Sequence, residues 1–340
     1  MKSSPISIII PTYNRAHLVS RAVRSVLASC REEDEIIVVD DGSTDNTSEV
    51  LQPLLQRVRY VRLPHGGAGR ARNRGVQIAR SPLLAFLDSD DELIPGYLEA
   101  KRRLLDARSD LVFCFSEFGT RFEDGRVEHD ALSRWHHNPP EWREVLSTGV
   151  NLSSLIALPP GVEDAPVHVC NMYHLEMAAN YISAITLVVR EDAARDNLRF
   201  AEDLPTFEDW ECYGRLAKCG LGAFLECETA WQHRHSGTHL THTDPVTRAR
   251  TRIKILQRIW GSDPDYLAQH GGEFERVLRE QQHFLIRALL LQAKLQEARE
   301  MIAQTSEVPL SWRFLSHMPV SVIRNASQAR SALRRVRHLL

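Results

Sequence analysis

Short apolar runs alternate with amphipathic stretches along the first hundred residues. Ile6 to Ile10 is an isoleucine-rich run closed by Pro11, the pattern of a strand buried on both faces of a parallel sheet. In the segment that follows, Leu18, Val19, Ala22, Val23, Val26 and Leu27 recur at helical spacing, which predicts an amphipathic helix with Asn14 as its cap. Glu35 to Val39 repeats the strand pattern and runs into the polar turn DDGST, which opens a second helix. Val58 to Leu63 is a weaker strand, GGAGRARNRGVQIAR a glycine-started helix, and Leu83 to Leu87 a further buried strand. Such alternation predicts an α/β fold: a doubly wound, mostly parallel sheet with right-handed crossovers.

Beyond Glu99 the alternation loosens. Asp110 to Phe115 and Ala184 to Arg190 read as strands, and PTFEDWECYGRLAKCG as a helix with a glycine stop. From Thr247 to Thr305 helical periodicity dominates. The section between residues 118 and 181, rich in histidine and aromatic residues, fits neither pattern.

Composition narrows the class. With 43% apolar and 25% charged residues in 340, the chain is ordinary for a soluble globular protein. A formal net charge of −2 argues against nucleic acid as a partner of the whole molecule. Charge is uneven, however, because Val308 to Leu340 holds six arginines and no acidic residue. The six cysteines form no C-x-x-C pair, which argues against a zinc knuckle and a disulfide framework and predicts a reducing compartment. No stretch approaches the ~20 apolar residues that span a bilayer, and the apolar run near the N-terminus is too short for a signal peptide. The expected location is the cytoplasm.

The polar clusters fall where strands end: PTYN, DDGS, HGGAGR and DSDD. In open α/β sheets ligands bind outside the carboxyl ends of the strands, so one crevice is expected to collect all four. In FLDSDDEL, Asp88 and Asp90 are alternate residues of an extended segment and project together, while Asp91 turns aside. Adjacent carboxylates repel unless a cation or a set of donors holds them. Mg²⁺ or Mn²⁺ would satisfy the oxygens and leave positions open for phosphates. A solvated turn whose aspartates cap the next helix accounts for the same residues, and both readings stand at this point.

Four segments, IIIPTYNRAHLVSRAVRSVLAS, EIIVVDDGSTDNT, GAGRARNRGVQIARSPLLAFLDSDDEL and FEDWECYGRLAKCG, resemble in order and spacing the family 2 glycosyltransferases. The resemblance runs from Ile6 to His242 apart from the 118–181 section, and it implies a GT-A fold. It implies a domain over residues 1–245, with a nucleotide-binding half 1–100 and an acceptor half 101–245, followed by a helical region 246–340. It further implies a nucleotide-diphosphate sugar as donor, with UDP the commonest carrier. Residues matching Pro11, Thr12 and Tyr13 line the family's nucleotide pocket, and Asp41 of the Asp40–Asp41 pair matches an aspartate that accepts a bond from the base. The same turn also reads as a helix-capping turn. Arg72 matches an arginine that reaches the diphosphate, with Arg70 near. Asp90 matches the direct metal ligand of a D-x-D motif; Asp88, grouped with Ser89 at the donor, stands nearer the ribose or bridges through water. His235, in RHSGT, matches a late histidine ligand of the cation, with Gly-Thr where Gly-Ser is usual; His233, His239 and His242 receive no role. Asp209 matches the general base, although Thr206 three residues earlier also makes it a capping-box residue.

The implied activity is inverting, metal-dependent transfer of a sugar to a hydroxyl of a glycan or lipid-linked acceptor, as in cell-surface polysaccharide synthesis. The basic C-terminal tail, with Val322, Ile323, Ala326, Ala329, Leu333, Val336 and Leu340 near helical spacing, reads either as a peripheral contact with the inner membrane face or as a solvated terminal helix. Gly67, Ala68 and Gly69 also resemble a dinucleotide fingerprint, but Arg72 occupies its third glycine position. A sugar-phosphate nucleotidyltransferase needs a lysine near its N-terminal glycine-rich signature, and Lys2 is the sole lysine before Lys101. A non-catalytic binding protein would not need intact FED, DSDD and late histidines.

Overall fold

The structure is a computed structural model that describes residues 3–135, 145–146, 148–194, 196–235 and 243–321. The basic tail beyond residue 321, His239 and His242 lie outside the described residues. The chain divides into two compact units, Met1–Asp203 with Glu208–Gly237, and Leu204–Phe207 with Thr238–Leu340.

The first unit is built on β1 (Ile6–Thr12), α1 (Ala16–Leu27), β2 (Glu35–Asp40), α2 (Thr47–Leu51), β3 (Val58–Arg62), α3 (Ala68–Ile78) and β4 (Leu83–Phe86). It continues through β5 (Glu92–Leu93), α4 (Tyr97–Ala107), β6 (Leu111–Phe122), β7 (Val127–Glu128), α5 (Ala131–Trp135), β8 (Val150–Asn151), β9 (Pro166–Cys170) and α6 (Tyr173–Ala178). β10 (Val188–Arg190), α7 (Glu191–Ala194), α8 (Glu208–Lys218) and β11 (Leu221–Arg234) complete it. The strands form one sheet in the order β3-β2-β1-β4-β10-β6-β11-β9-β8, with β5 on β11 and β7 on β6. β3, β2, β1 and β4 are mutually parallel, and β6 and β11 are parallel to each other. β10 lies antiparallel between β4 and β6, so β3, β2, β1, β4, β6 and β11 all point the same way. That is the mostly parallel GT-A sheet, and the carboxyl ends of β1, β2 and β4 share one rim.

β1 is buried at every position, as expected of a strand covered on both faces. Two details depart from the sequence reading. Asn14 does not cap α1: its backbone φ is 51° and its Oδ1 accepts the N–H of Thr44 at 2.7 Å, while Asp45 Oδ2 accepts the N–H of Ala16 at the start of α1. β11, fourteen residues long, has no counterpart in the sequence reading. Its register against β6 shifts between Leu225 and Glu228 and again before Trp231, and such irregularities erase the two-residue alternation that marks a strand.

The second unit contains α9 (Pro245–Ile259), α10 (Pro264–Leu291), α11 (Leu295–Gln304) and α12 (Leu310–Leu315). Asp244 and Asp263 cap α9 and α10 by accepting the N–H groups of Thr247 and Tyr266. Val246, Ala249, Leu285, Leu289, Ala298 and Ile302 meet in its core. Among the described residues no helix is long and apolar enough to cross a membrane.

α3 lies close on β1 because Gly75 faces Ile9; a Cβ there would stand 2.3 Å from Ile9 Cγ2. Ile9 is wholly buried and has no room to give. Gly75→Val is expected to lower stability by about 1–3 kcal/mol through overpacking, read as a lower urea midpoint at unchanged slope; an unchanged midpoint would show that the interface yields.

Candidate active site

At the rim the loops hold one another through buried aspartates. Asp40, 1% exposed, accepts the N–H of Ser43 at 2.7 Å and the hydroxyl of Tyr60, which pins the turn after β2. Asp41, 2% exposed, accepts the N–H groups of Gly66 at 2.9 Å and Gly67 at 2.7 Å, and its Oδ2 lies 2.8 Å from His65 Nδ1. Gly67 has φ 96°, open to glycine and costly for other residues, and this turns the loop so that two successive N–H groups meet one carboxylate. The pair expected at the nucleotide is therefore engaged with the chain itself: Asp40 with its own turn, Asp41 with the loop entering α3. Pro11 and Thr12 are buried in β1. Tyr13 stays 39% exposed and stacks on His65 with ring centroids 4.2 Å apart at 19°.

Behind β4 the acids are separated by donors. Arg72, 5% exposed, reaches Asp88 Oδ1 at 2.7 Å and Glu208 Oε1 at 2.9 Å with its two terminal nitrogens, and its guanidinium lies over the Phe200 ring. The arginine expected at a diphosphate thus has its fork committed to carboxylates. Burial opposes its charge, but Asp88 and Glu208 outweigh that and raise its pKa. Asp88 is raised from the usual carboxylate range by desolvation within the groove, against the pull of Arg72, and the Asp90 charge adds to the rise. Ser89 is buried beside it. Asp90 Oδ2 lies 3.0 Å from His235 Nε2 and 3.9 Å from Arg15 Nε. Asp91, 3% exposed, accepts the N–H of His233 and is held well above the usual range by burial and by Asp90 and Asp88. His233 Nε2 contacts Glu92 at 2.6 Å.

Asp90 and His235 suit a divalent cation: once the imidazole proton is displaced, an oxygen and a nitrogen 3.0 Å apart face one point. Asp88 is turned to Arg72, and among the described residues Asp88, Asp90 and His235 do not close into a set with every ligand atom within 4.8 Å of the others. The cation's remaining positions would fall to phosphate oxygens and water.

Asp209 stands in the first turn of α8, where its Oδ1 accepts the N–H of Trp210 at 2.7 Å. Burial and the neighbouring Glu208 charge push its pKa up to about 6, against Arg72. Glu208, which sequence reasoning left without a role, ties Asp209's helix to Asp88 through Arg72. The unassigned 118–181 section supplies α6, whose Glu176 carbonyl accepts the Trp210 indole N–H at 2.8 Å. The Glu176 carboxyl is fully buried, accepts the N–H groups of Tyr181 and Ile182, and is raised well above the usual range by desolvation. His65 and Arg15 were also missed; one polar residue in a loop carries no periodic signal.

Residues 7–150 match the model of the family described as Glycosyl transferase family 2. A candidate teichuronic acid biosynthesis glycosyltransferase, TuaG of Bacillus subtilis (strain 168), is 36% identical over 138 residues, 39% of this chain and 53% of that protein. The matched segment spans about half or less of the curated relatives' own length. Among solved structures, S. aureus TarS 1-349 in complex with UDP-GlcNAc superposes with a TM-score of 0.61 at 19% identity, over 88% of this chain and 79% of that one. The mannosyltransferase PcManGT from Pyrobaculum calidifontis, in complex with GDP-Man and Mn²⁺, gives 0.55 at 14% identity, over 97% and 87%. These two share the fold. Over residues 7–150, less than half of the chain, the sequence is thus similar to glycosyl transferase family 2, on a GT-A sheet.

Proposed function

We propose that the chain is an inverting glycosyltransferase that moves a sugar from a nucleotide-diphosphate donor, UDP-linked in the first instance, to a hydroxyl of a glycan or lipid-linked acceptor in cell-surface polysaccharide synthesis. The observation that carries this is the Glu208–Arg72–Asp88 bridge. It ties a half-buried carboxylate of raised pKa, Asp209, to the acid cluster at the strand ends, where Asp90 meets His235. The sugar nucleotides named in the TarS and PcManGT structures support the donor class, and the relative named for teichuronic acid biosynthesis supports the acceptor class. Contact of the arginine-rich tail with an acceptor-bearing membrane belongs to the same proposal.

In this scheme Asp90 and His235 hold Mn²⁺ or Mg²⁺, whose contribution when bound is to neutralise the departing diphosphate. Arg72 keeps Asp88 and Glu208 in place, and Tyr13 offers its ring to the base. Asp209 takes the proton of the acceptor hydroxyl as that oxygen bonds to the anomeric carbon, and the electron pair of the old bond leaves with the diphosphate. One in-line displacement without a covalent sugar intermediate inverts the configuration.

Thermal shift with UDP, GDP, CDP and dTDP is expected to show stabilisation by one nucleotide that depends on Mn²⁺. Asp90→Ala removes it, whereas Asp209→Asn keeps it and loses about 10²–10⁴ in kcat. Equal stabilisation of both variants without a cation would refute the metal assignment.

The pH dependence follows from Asp209. Only the ionised carboxylate accepts a proton, and its pKa is raised to about 6, so kcat/KM is expected to fall as pH drops through about 6. Glu208→Gln removes a charge that raises it and moves this limb to lower pH. A limb near pH 4, the range of an ordinary aspartate, would contradict the assignment of Asp209 as the base.

A further inference from the structure

Resting on the membrane contact included in the proposal above, we propose that α12 is the element that seats the protein on an anionic bilayer, with Leu310 and Phe314 entering the lipid. Burial along this short helix runs opposite to the ordinary pattern. Ser316, just past its carboxyl end, is wholly buried. Its Oγ donates to the Arg313 carbonyl oxygen at 2.7 Å, and its own carbonyl oxygen accepts Arg299 Nη1 from α11 at 2.7 Å. Leu310, by contrast, is 82% exposed and Phe314 68%. These two stand four positions apart on one helix face, and Leu315 beside Phe314 is exposed as well.

The outward face is fixed by what lies beneath it. Trp312 packs on the core of the second unit, with its ring edge to face on His283 of α10 at 5.5 Å between centroids, and Met318 reaches the same core beyond the helix. Turning Leu310 and Phe314 inward would expose Trp312 and strip Ser316 of its partners.

What covers this face is decided by its size and by the charge around it. A stable protein–protein interface takes about 20–30 residues a side, and three apolar side chains on a helix of six residues fall far short. A bilayer asks for less, because apolar insertion and attraction to anionic headgroups add, and two weak signals together hold a protein where one does not. Both signals are here. Arg313 is exposed within α12, and Val308 to Leu340 holds six arginines and no acidic residue, cations that a negatively charged leaflet attracts and salt screens. Glu307, the acid just before this stretch, is paired with Arg279 at 2.9 Å. Five of the six arginines belong to residues 322–340, outside the described residues; the anchor inferred is the described helix, which at six residues lies on a bilayer and does not cross it.

The test is sedimentation of the full-length chain with vesicles of phosphatidylcholine alone or with about 30% phosphatidylglycerol, at low and high salt. Wild type is expected to bind the anionic vesicles and to be released as salt rises. Leu310→Ser and Phe314→Ser each weaken that binding about tenfold and together about a hundredfold, with far-UV circular dichroism and Tm unchanged because both side chains are exposed. A double variant that binds as wild type does overturns the α12 assignment and leaves the tail contact standing. Wild type that binds both vesicles alike overturns the requirement for anionic lipid. Wild type that binds neither overturns the membrane contact itself, while Mn²⁺-dependent nucleotide binding still decides the glycosyltransferase reading. A wild-type dimer in solution that becomes a monomer in the double variant gives the face to a second copy and overturns the lipid assignment.

Discussion

The Arg72 guanidinium is the interaction on which the site depends. It is nearly excluded from water and bonded to Asp88 behind β4 and to Glu208 at the head of α8. Burying one charge costs several kcal/mol, and burying like charges together costs more. A single planar fork facing two carboxylates offsets this as a point charge on a flexible stem would not. The same cation opposes the rise of the Asp209 pKa under burial and Glu208. Its place is fixed in turn by Gly75, which lets α3 lie against Ile9.

Around that centre, polar residues of similar appearance do different work. Asp40, Asp41, Asn14 and Asp45 cross-link the loops after β1 and β2 to one another and to the entry of α3. Buried polar groups need such partners, and once they have them they present little to a ligand. What stays exposed at the rim is the Tyr13–His65 stack, while the Asp90–His235 pair lies largely covered.

Local quantities were legible in the chain. A run of isoleucines or a four-residue apolar spacing depends on neighbours a few positions away, so the strands from Ile6, Glu35 and Leu83 and the helices after them are found close to where periodicity places them. Alternation in FLDSDDEL singled out Asp88 and Asp90, and the family resemblance, not spacing, added Asp209 and His235. β11 escaped because its bulges break the alternation against β6.

Which acid meets which donor was decided by packing alone. Arg72 bonds Glu208 across 136 positions and His235 meets Asp90 across 145, separations at which no spacing rule acts. Whether an aspartate faces a ligand or its own backbone turns on burial and on N–H groups brought by other loops, as Gly66 and Gly67 are brought to Asp41. The chain determined its strands, its helices and the kinds of side chain at the rim, since those follow from contacts between near neighbours. The folded sheet decided their partners, because only there do distant segments compete for the same oxygen.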